Sequence, residues 1–522
     1  MKKLARYGLP TAGVLTALTL AALFAWPREP VDFEAALTVG RRPQIRPDYH
    51  DVVIPPNIAP LGFIVEEAGT DYRVRVRSAE DALLEVASRT AAIGFSQAAW
   101  RRLLSEQQGN GLWLDVCVRR EDGRWTRFDP IAMRIAEAPV DRYLFYRLIK
   151  PIHILRRHIN IFQRDLESYD ESLALSNRSF EGGCINCHAF APNHPDRMIV
   201  HSRGSEQTGA WSGMTVVRDG RITRVDTRQL VRDPESDRGR ITKEMAAYTA
   251  WHPHGRLLAF SANKISQFFH AVGEVRDVFD SESDLAICDL DTNTVTTTPS
   301  ISRPDRLETF PAWSPDGRYL YFCSAEPLPV DRYREIRYDL MRIEFDADTG
   351  RWGELEEVLR ARETGLSITE PRISPDGRWV LFCMSDYGAF PVFQSSSDLY
   401  LLDLNTRDYR RLDINSEQAE SWHCWSSNSR WIAFVSKRRD GMFARIYFSH
   451  VDEAGRAHKP FVLPQEDPSF YDRFIETYTV PELSRTPAPA GPRALSRAIR
   501  QPPPDDDARQ DRDTSMESMG IQ

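Results

Sequence analysis

The sequence predicts a mainly β chain, a β-propeller of five or six blades preceded by a small β-sandwich-like domain. The first observation behind this is a repeat. Ala312-Trp313-Ser314-Pro315-Asp316-Gly317-Arg318 recurs as Ile373-Ser374-Pro375-Asp376-Gly377-Arg378, as Trp251-His252-Pro253-His254-Gly255-Arg256, and in degenerate form as Trp425-Ser426-Ser427-Asn428-Ser429-Arg430. The shared arginines are 62, 60 and 52 residues apart. Each copy reads as strand, turn, strand, because Pro presets the first turn angle and Gly accepts a positive one. A further strand pair follows in each unit, seen in Asp284–Leu290, Asp339–Ile343 and Asp398–Leu404. Four strands at this period describe propeller blades. The second observation is that the residues ahead of the repeat form short alternating runs.

The elements follow in order. Lys2, Lys3 and Arg6 precede an uncharged stretch from about Tyr7 to Trp26, long enough to cross roughly 30 Å of hydrocarbon. Residues 1–26 are therefore expected to be an export signal kept as an inner-membrane anchor, or a cleaved signal peptide, with the bulk of the chain in the periplasm. Residues 27–58, rich in Pro and Arg, read as a tether. Residues 59–138 carry alternating runs at Tyr72–Val76, Trp113–Val118 and Ala132–Ala136, with one helix at Ala79–Ala87 or Ser96–Glu106, and read as the small β-rich domain. Residues 139–204 have mixed spacing and are expected to be a connector of helix and coil. The propeller is expected over 205–482, its first blade beginning at Trp211–Arg224. The Pro-, Arg- and Asp-rich tail, 483–522, is expected to be disordered.

A hydrophobic fraction of 41% and a charged fraction of 27% suit a globular body. The net charge of -8 over 522 residues argues against a nucleic-acid partner, which calls for a basic stripe. Of the seven cysteines, Cys117, Cys288, Cys323, Cys383 and Cys424 read as buried free thiols. Cys323 and Cys383 occupy equivalent places in neighbouring repeats, too far apart for a disulfide.

The chemistry concentrates in Gly182-Gly183-Cys184-Ile185-Asn186-Cys187-His188, a Cys-x-x-Cys-His run. This is the attachment signature of a c-type haem: two thiols form thioethers to the porphyrin vinyl groups and the adjoining imidazole reaches the iron. A structural zinc site would need a second ligand pair, and no second Cys-x-x-Cys exists. A thioredoxin-like dithiol would need a βαβ context. Cys184 and Cys187 are thus the expected covalent haem ligands and His188 the proximal iron ligand. Met198 is the leading distal candidate, with His201, His194 and Met214 as rivals. Arg197 and Arg203 are candidate partners of the propionates, or surface charges. Trp251-His252-Pro253-His254 and Trp422-His423-Cys424-Trp425 invite metal readings, but strand and turn packing is preferred for both. Glu308, Glu370 and Glu420 are expected to point into the central channel.

The repeats resemble the TolB-type propeller, whose mark is the Trp-Ser-Pro-Asp-Gly-Arg turn. The whole chain resembles a family of exported single-haem proteins with a small N-terminal β-domain and a TolB-like propeller, through Ile54–Leu61, Cys184–Phe190 and Met198–Gly204. The resemblance implies one covalent haem c and the architecture, and says little of a reaction. The leading expectation is a periplasmic monohaem c-type cytochrome carrying out one-electron transfer, its propeller docking a redox protein partner or shielding the haem. The alternatives are a haem-dependent enzyme, peroxidase-like or acting on a propeller-bound substrate, and an envelope interaction scaffold with haem as redox sensor.

Overall fold

Among the described residues six antiparallel four-stranded sheets stack face to face, so that strands such as Leu307–Trp313, Trp379–Ser385 and Trp431–Ser436 are buried along their whole length. This computed structural model describes residues 31–150, 159–180, 182–191, 194–203, 213–225, 246–269 and 276–501. The expected anchor, residues 1–26, lies outside them. Among the described residues no helix is long and apolar enough to cross a membrane.

Five of the six sheets are simple meanders in chain order. Blade two runs Cys184–Ala191, His194–Arg203, Gly213–Arg218 and Arg221–Val225. Blades three to six begin with the inner strands Ala246–Trp251, Leu307–Trp313, Ser367–Ile373 and Glu420–Trp425. Blade one is made from both ends of the ring. Tyr143–Ile149, Ile159–Asp165 and Glu171–Ser176 supply its three outer strands, and Thr477–Ser484 pairs antiparallel with Tyr143–Ile149 as its innermost. Each inner strand packs on the next around the ring, and Thr477–Ser484 packs on Cys184–Ala191 to close it. The described residues form a six-bladed β-propeller.

Three domain expectations need correction. The described part of the expected connector, 139–204, is built mainly of strands: its apolar spacing is mixed because these strands bury both faces between blades. The expected tether, 27–58, holds the short strands Leu37–Thr38, Ile45–Arg46 and Val52–Ile54, which join the N-terminal domain. Strands of two or three residues are too short to show a period. The tail continues to a helix, Pro492–Arg500, whose Leu495 and Ile499 are fully buried against blades one and two.

The N-terminal domain has a seven-stranded and a three-stranded sheet, with the helix at Gln97–Glu106, while Ala82–Ser88 is a strand. It is fastened to blade six. The Asp141 carboxylate accepts from Ser427 N–H at 2.7 Å and from Ser427 Oγ at 2.6 Å, and Trp431 Nε1–H donates to the Ala138 carbonyl at 2.9 Å. The two units share one continuous apolar core.

Candidate functional site at the propeller axis

One irregularity is repeated around the ring. The ladder between the first and second strand slips by a residue in blades two to six, and between Thr477–Ser484 and its neighbour in blade one. At the slip, Tyr248, Phe310, Glu370, Trp422 and Val480 take φ of 41°, 53°, 54°, 40° and 49°. Side chains with a Cβ seldom adopt this conformation, and each such residue costs on the order of 1 kcal/mol or more. Phe310, Glu370 and Val480 each precede a proline, tolerated inside a strand because the bulge leaves its position without a ladder donor. In blade two the slip falls between Ile185 and His188, so Asn186 and Cys187 occupy the bulge. The Cys-x-x-Cys-His run is therefore an inner propeller strand.

The bulges aim their residues at the axis. His188, Thr249, Phe310, Glu370, His423 and Val480, one from each inner strand, line a cavity of about 30 Å³. That is room for about two water molecules. Tyr248, Phe310 and Trp422 form an aromatic wall, with Tyr248 and Phe310 centroids 4.3 Å apart. Arg372 pairs with Glu482 at 3.1 Å.

His188 is 2% exposed, and among the described residues neither ring nitrogen makes a well-formed hydrogen bond, with only a weak approach to the Val480 backbone. Burial, helped by the nearby charges of Arg147 and Arg372, lowers its pKa to about 3, so the ring is neutral and offers a lone pair. Cys184 is partly buried at the opposite end of the strand from the turn, in register with Arg203. The side chains of Cys187, His194 and Arg203 lie outside the described residues.

Four other predicted site residues, Met198, His201, Met214 and Arg197, have described side chains. Met198 is fully buried opposite Phe190, on the same sheet face as His188, whose own strand partner is Val200. The Met198 and His188 side chains leave one sheet face side by side and do not point at each other. His201 is on the other face, its Nε2 hydrogen-bonded to Thr249 Oγ1. Met214, its strand partner, packs in the core between blades two and three. Arg197 lies over Gly255 in the blade-three turn, where an added Cβ would meet its guanidinium at 2.2 Å. It is thus at the end of the strand pair remote from Cys184.

Of the three glutamates expected in the channel, only Glu370 reaches the cavity. Glu420 is held by Ser416 and Ser436 Oγ, both at 2.7 Å, and by Arg438 at 3.0 Å. Glu308 is buried beside Arg303 and Arg306. His252 hydrogen-bonds to the Gly317 carbonyl at 3.1 Å and packs edge-on to Trp313, the packing role expected of that motif. The five cysteines outside the Cys-x-x-Cys-His run are free and buried.

Residue-by-residue inspection of sequence missed the trio Glu370, Cys383 and His423, whose ligand atoms all lie within 4.8 Å of one another. It draws on two blades, and the available signal was the pair of bulge positions upstream of the turns.

No known family profile and no curated protein matches the chain. Among solved structures, a nidogen/laminin complex is similar at 9% identity and a TM-score of 0.34, covering 61% of this chain and 93% of that one. Porphyromonas gingivalis dipeptidyl peptidase 4 is similar at 12% identity and 0.30, covering 58% and 45%. The Dos1 propeller is similar at 12% identity and 0.29, covering 62% and 72%. The propeller assignment rests on the chain's own sheets.

Proposed function

We propose that the chain is a periplasmic, membrane-tethered monohaem c-type cytochrome that passes single electrons to or from a protein partner docked on the propeller. This reading places it in the exported single-haem family that its motifs resemble. The observation that carries it is His188: a neutral imidazole at the propeller axis, buried, with no well-formed hydrogen bond at either nitrogen among the described residues, directly following Cys187. Buried polar groups are almost always satisfied, so an orphaned imidazole marks a place where a ligand belongs.

The donors fit a c-type haem, with Cys184 and Cys187 to hold it and His188 to meet the iron. When bound, the group supplies a one-electron couple. The surrounding backbone sets two conditions. The cavity beside His188 admits water and not a macrocycle, so the ring has to extend towards the Cys184 end of the strand. Strand geometry separates Cys184 and Cys187 Cα atoms by roughly 10 Å, and bringing both thiols to one porphyrin edge requires this segment to coil out of the ladder.

A second reading has its own support. His423 lines the same cavity as His188 but is engaged by the Leu381 carbonyl and by Cys383, which favours an iron with an open position and a ligand-binding or peroxidase-like role. Spectra of the exported protein separate the two. The electron-transfer reading expects a low-spin, six-coordinate iron that carbon monoxide and cyanide do not readily displace. Rapid binding of either to the isolated protein would overturn it in favour of the second.

A further inference from the structure

We propose that Glu370, Cys383 and His423 form a binding site for a divalent transition metal of the zinc class, separate from the Cys-x-x-Cys-His run. The geometry is that of a ligand set. Cys383 Sγ is 3.6 Å from Glu370 Oε2 and 3.7 Å from His423 Nδ1. A tetrahedral zinc with bonds of about 2.3 Å to sulfur and about 2.0–2.2 Å to nitrogen and oxygen holds such donors about 3.5 Å apart.

The surroundings orient the donors. His423 Nε2–H donates to the Leu381 carbonyl at 3.0 Å, which leaves the Nδ1 lone pair facing the thiol. A backbone acceptor of this kind fixes the tautomer of metal-bound histidines. Glu370 Oε2 accepts the Trp422 N–H at 2.6 Å, while its Oε1, on a side chain 5% exposed, has no partner. That unpartnered oxygen is the second mark of a missing ligand. A thiol hydrogen is a weak donor and can serve one of Glu370 Oε2, His423 Nδ1 and the Glu420 carbonyl, the last at 3.7 Å, so hydrogen bonding alone leaves this buried set incomplete.

Charge points the same way. A dication with one thiolate, one carboxylate and a neutral imidazole sums to zero, the condition under which buried charge is tolerated. Arg372, the nearest cation on the cavity wall, is already paired with Glu482. Thiolate with imidazole selects zinc or cobalt over magnesium and calcium, which take oxygen ligands. Three protein ligands leave the fourth position to the cavity, whose 30 Å³ holds the water such a site binds.

The test uses the full-length exported protein and, in parallel, a Cys184→Ser/Cys187→Ser variant that cannot attach haem. Titration with Co²⁺ should give one equivalent per chain in both, with a thiolate-to-metal charge-transfer band, and added Zn²⁺ should displace it. Cys383→Ser and His423→Gln should weaken binding at least about a hundredfold and remove or displace the band. Cys288→Ser, in a different core, should leave it unchanged. Absence of the band from the wild-type protein at stoichiometric Co²⁺, or an unchanged band in Cys383→Ser, overturns the site. Binding retained in the haem-free variant keeps the proposal independent of the haem reading.

Discussion

Glu308 offers a stability measurement whose sign is fixed by the structure. The residue is 1% exposed, one carboxyl oxygen has no partner, and burial, with the charge of Asp284 adding and Arg303 and Arg306 opposing, pushes its pKa from 4.5 up to about 9. Below about pH 4.5 the group is protonated in both folded and unfolded chains and contributes no pH dependence. Above it the unfolded chain releases the proton while the folded chain keeps it, so folding becomes less favourable as pH rises, until the folded group itself ionises near 9. Inside that window the slope approaches about 1.4 kcal/mol per pH unit. Between about pH 6 and about pH 8 the wild-type protein should therefore lose about 3 kcal/mol through this residue. Glu308→Gln keeps the shape and removes the proton equilibrium. Urea unfolding of both proteins across the range should show the variant gaining about 3 kcal/mol relative to wild type by pH 8. Other buried acids, such as Asp280, whose pKa burial raises to about 7, are present in both proteins and cancel to first order. A stability difference that stays constant with pH would refute the buried, neutral assignment.

Two further predictions follow from packing. Met198→Leu should leave the haem spectrum and reduction potential of the exported protein unchanged and cost less than about 1.5 kcal/mol, because Met198 is a core residue on the His188 face; a lost sulfur–iron band would restore it as the distal ligand. Trp431→Ala should cost about 3–5 kcal/mol, because a fully buried indole and its bond to Ala138 fasten the N-terminal domain to blade six; limited proteolysis should then release that domain, and an unchanged digestion pattern would contradict the interface.

Much of the propeller was legible because its turn chemistry is local. Pro-Asp-Gly and its variants have to occupy a few adjacent residues, so the blades built on Gly255, Gly317 and Gly377 announced themselves, as did the degenerate copy at Ser429. Blade one was invisible because its innermost strand comes from Thr477–Ser484 and its outer strands from a stretch more than three hundred residues earlier, a pairing no local pattern encodes. The outer strands of blade two, Gly213–Arg218 and Arg221–Val225, fall in the stretch expected to open the propeller, but its inner half was hidden by its own chemistry. Cys184–His188 was read as an attachment site, and the same residues also satisfy the strand-and-bulge pattern of the inner ring. His188 was found from spacing alone because its neighbours in sequence carry the signal. Glu370, Cys383 and His423 come together only when blades five and six pack face to face, so the same residues read as separate packing positions in the sequence.

The central claim is that Cys184, Cys187 and His188 hold one haem. It is tested most directly by expressing the full chain with an intact export and cytochrome c maturation pathway and measuring haem that survives acid–acetone extraction, alongside the intact mass. The expected result is one covalent haem per chain, lost in Cys184→Ser/Cys187→Ser. Full-length protein recovered from the periplasm of such cells with no covalent haem would contradict it.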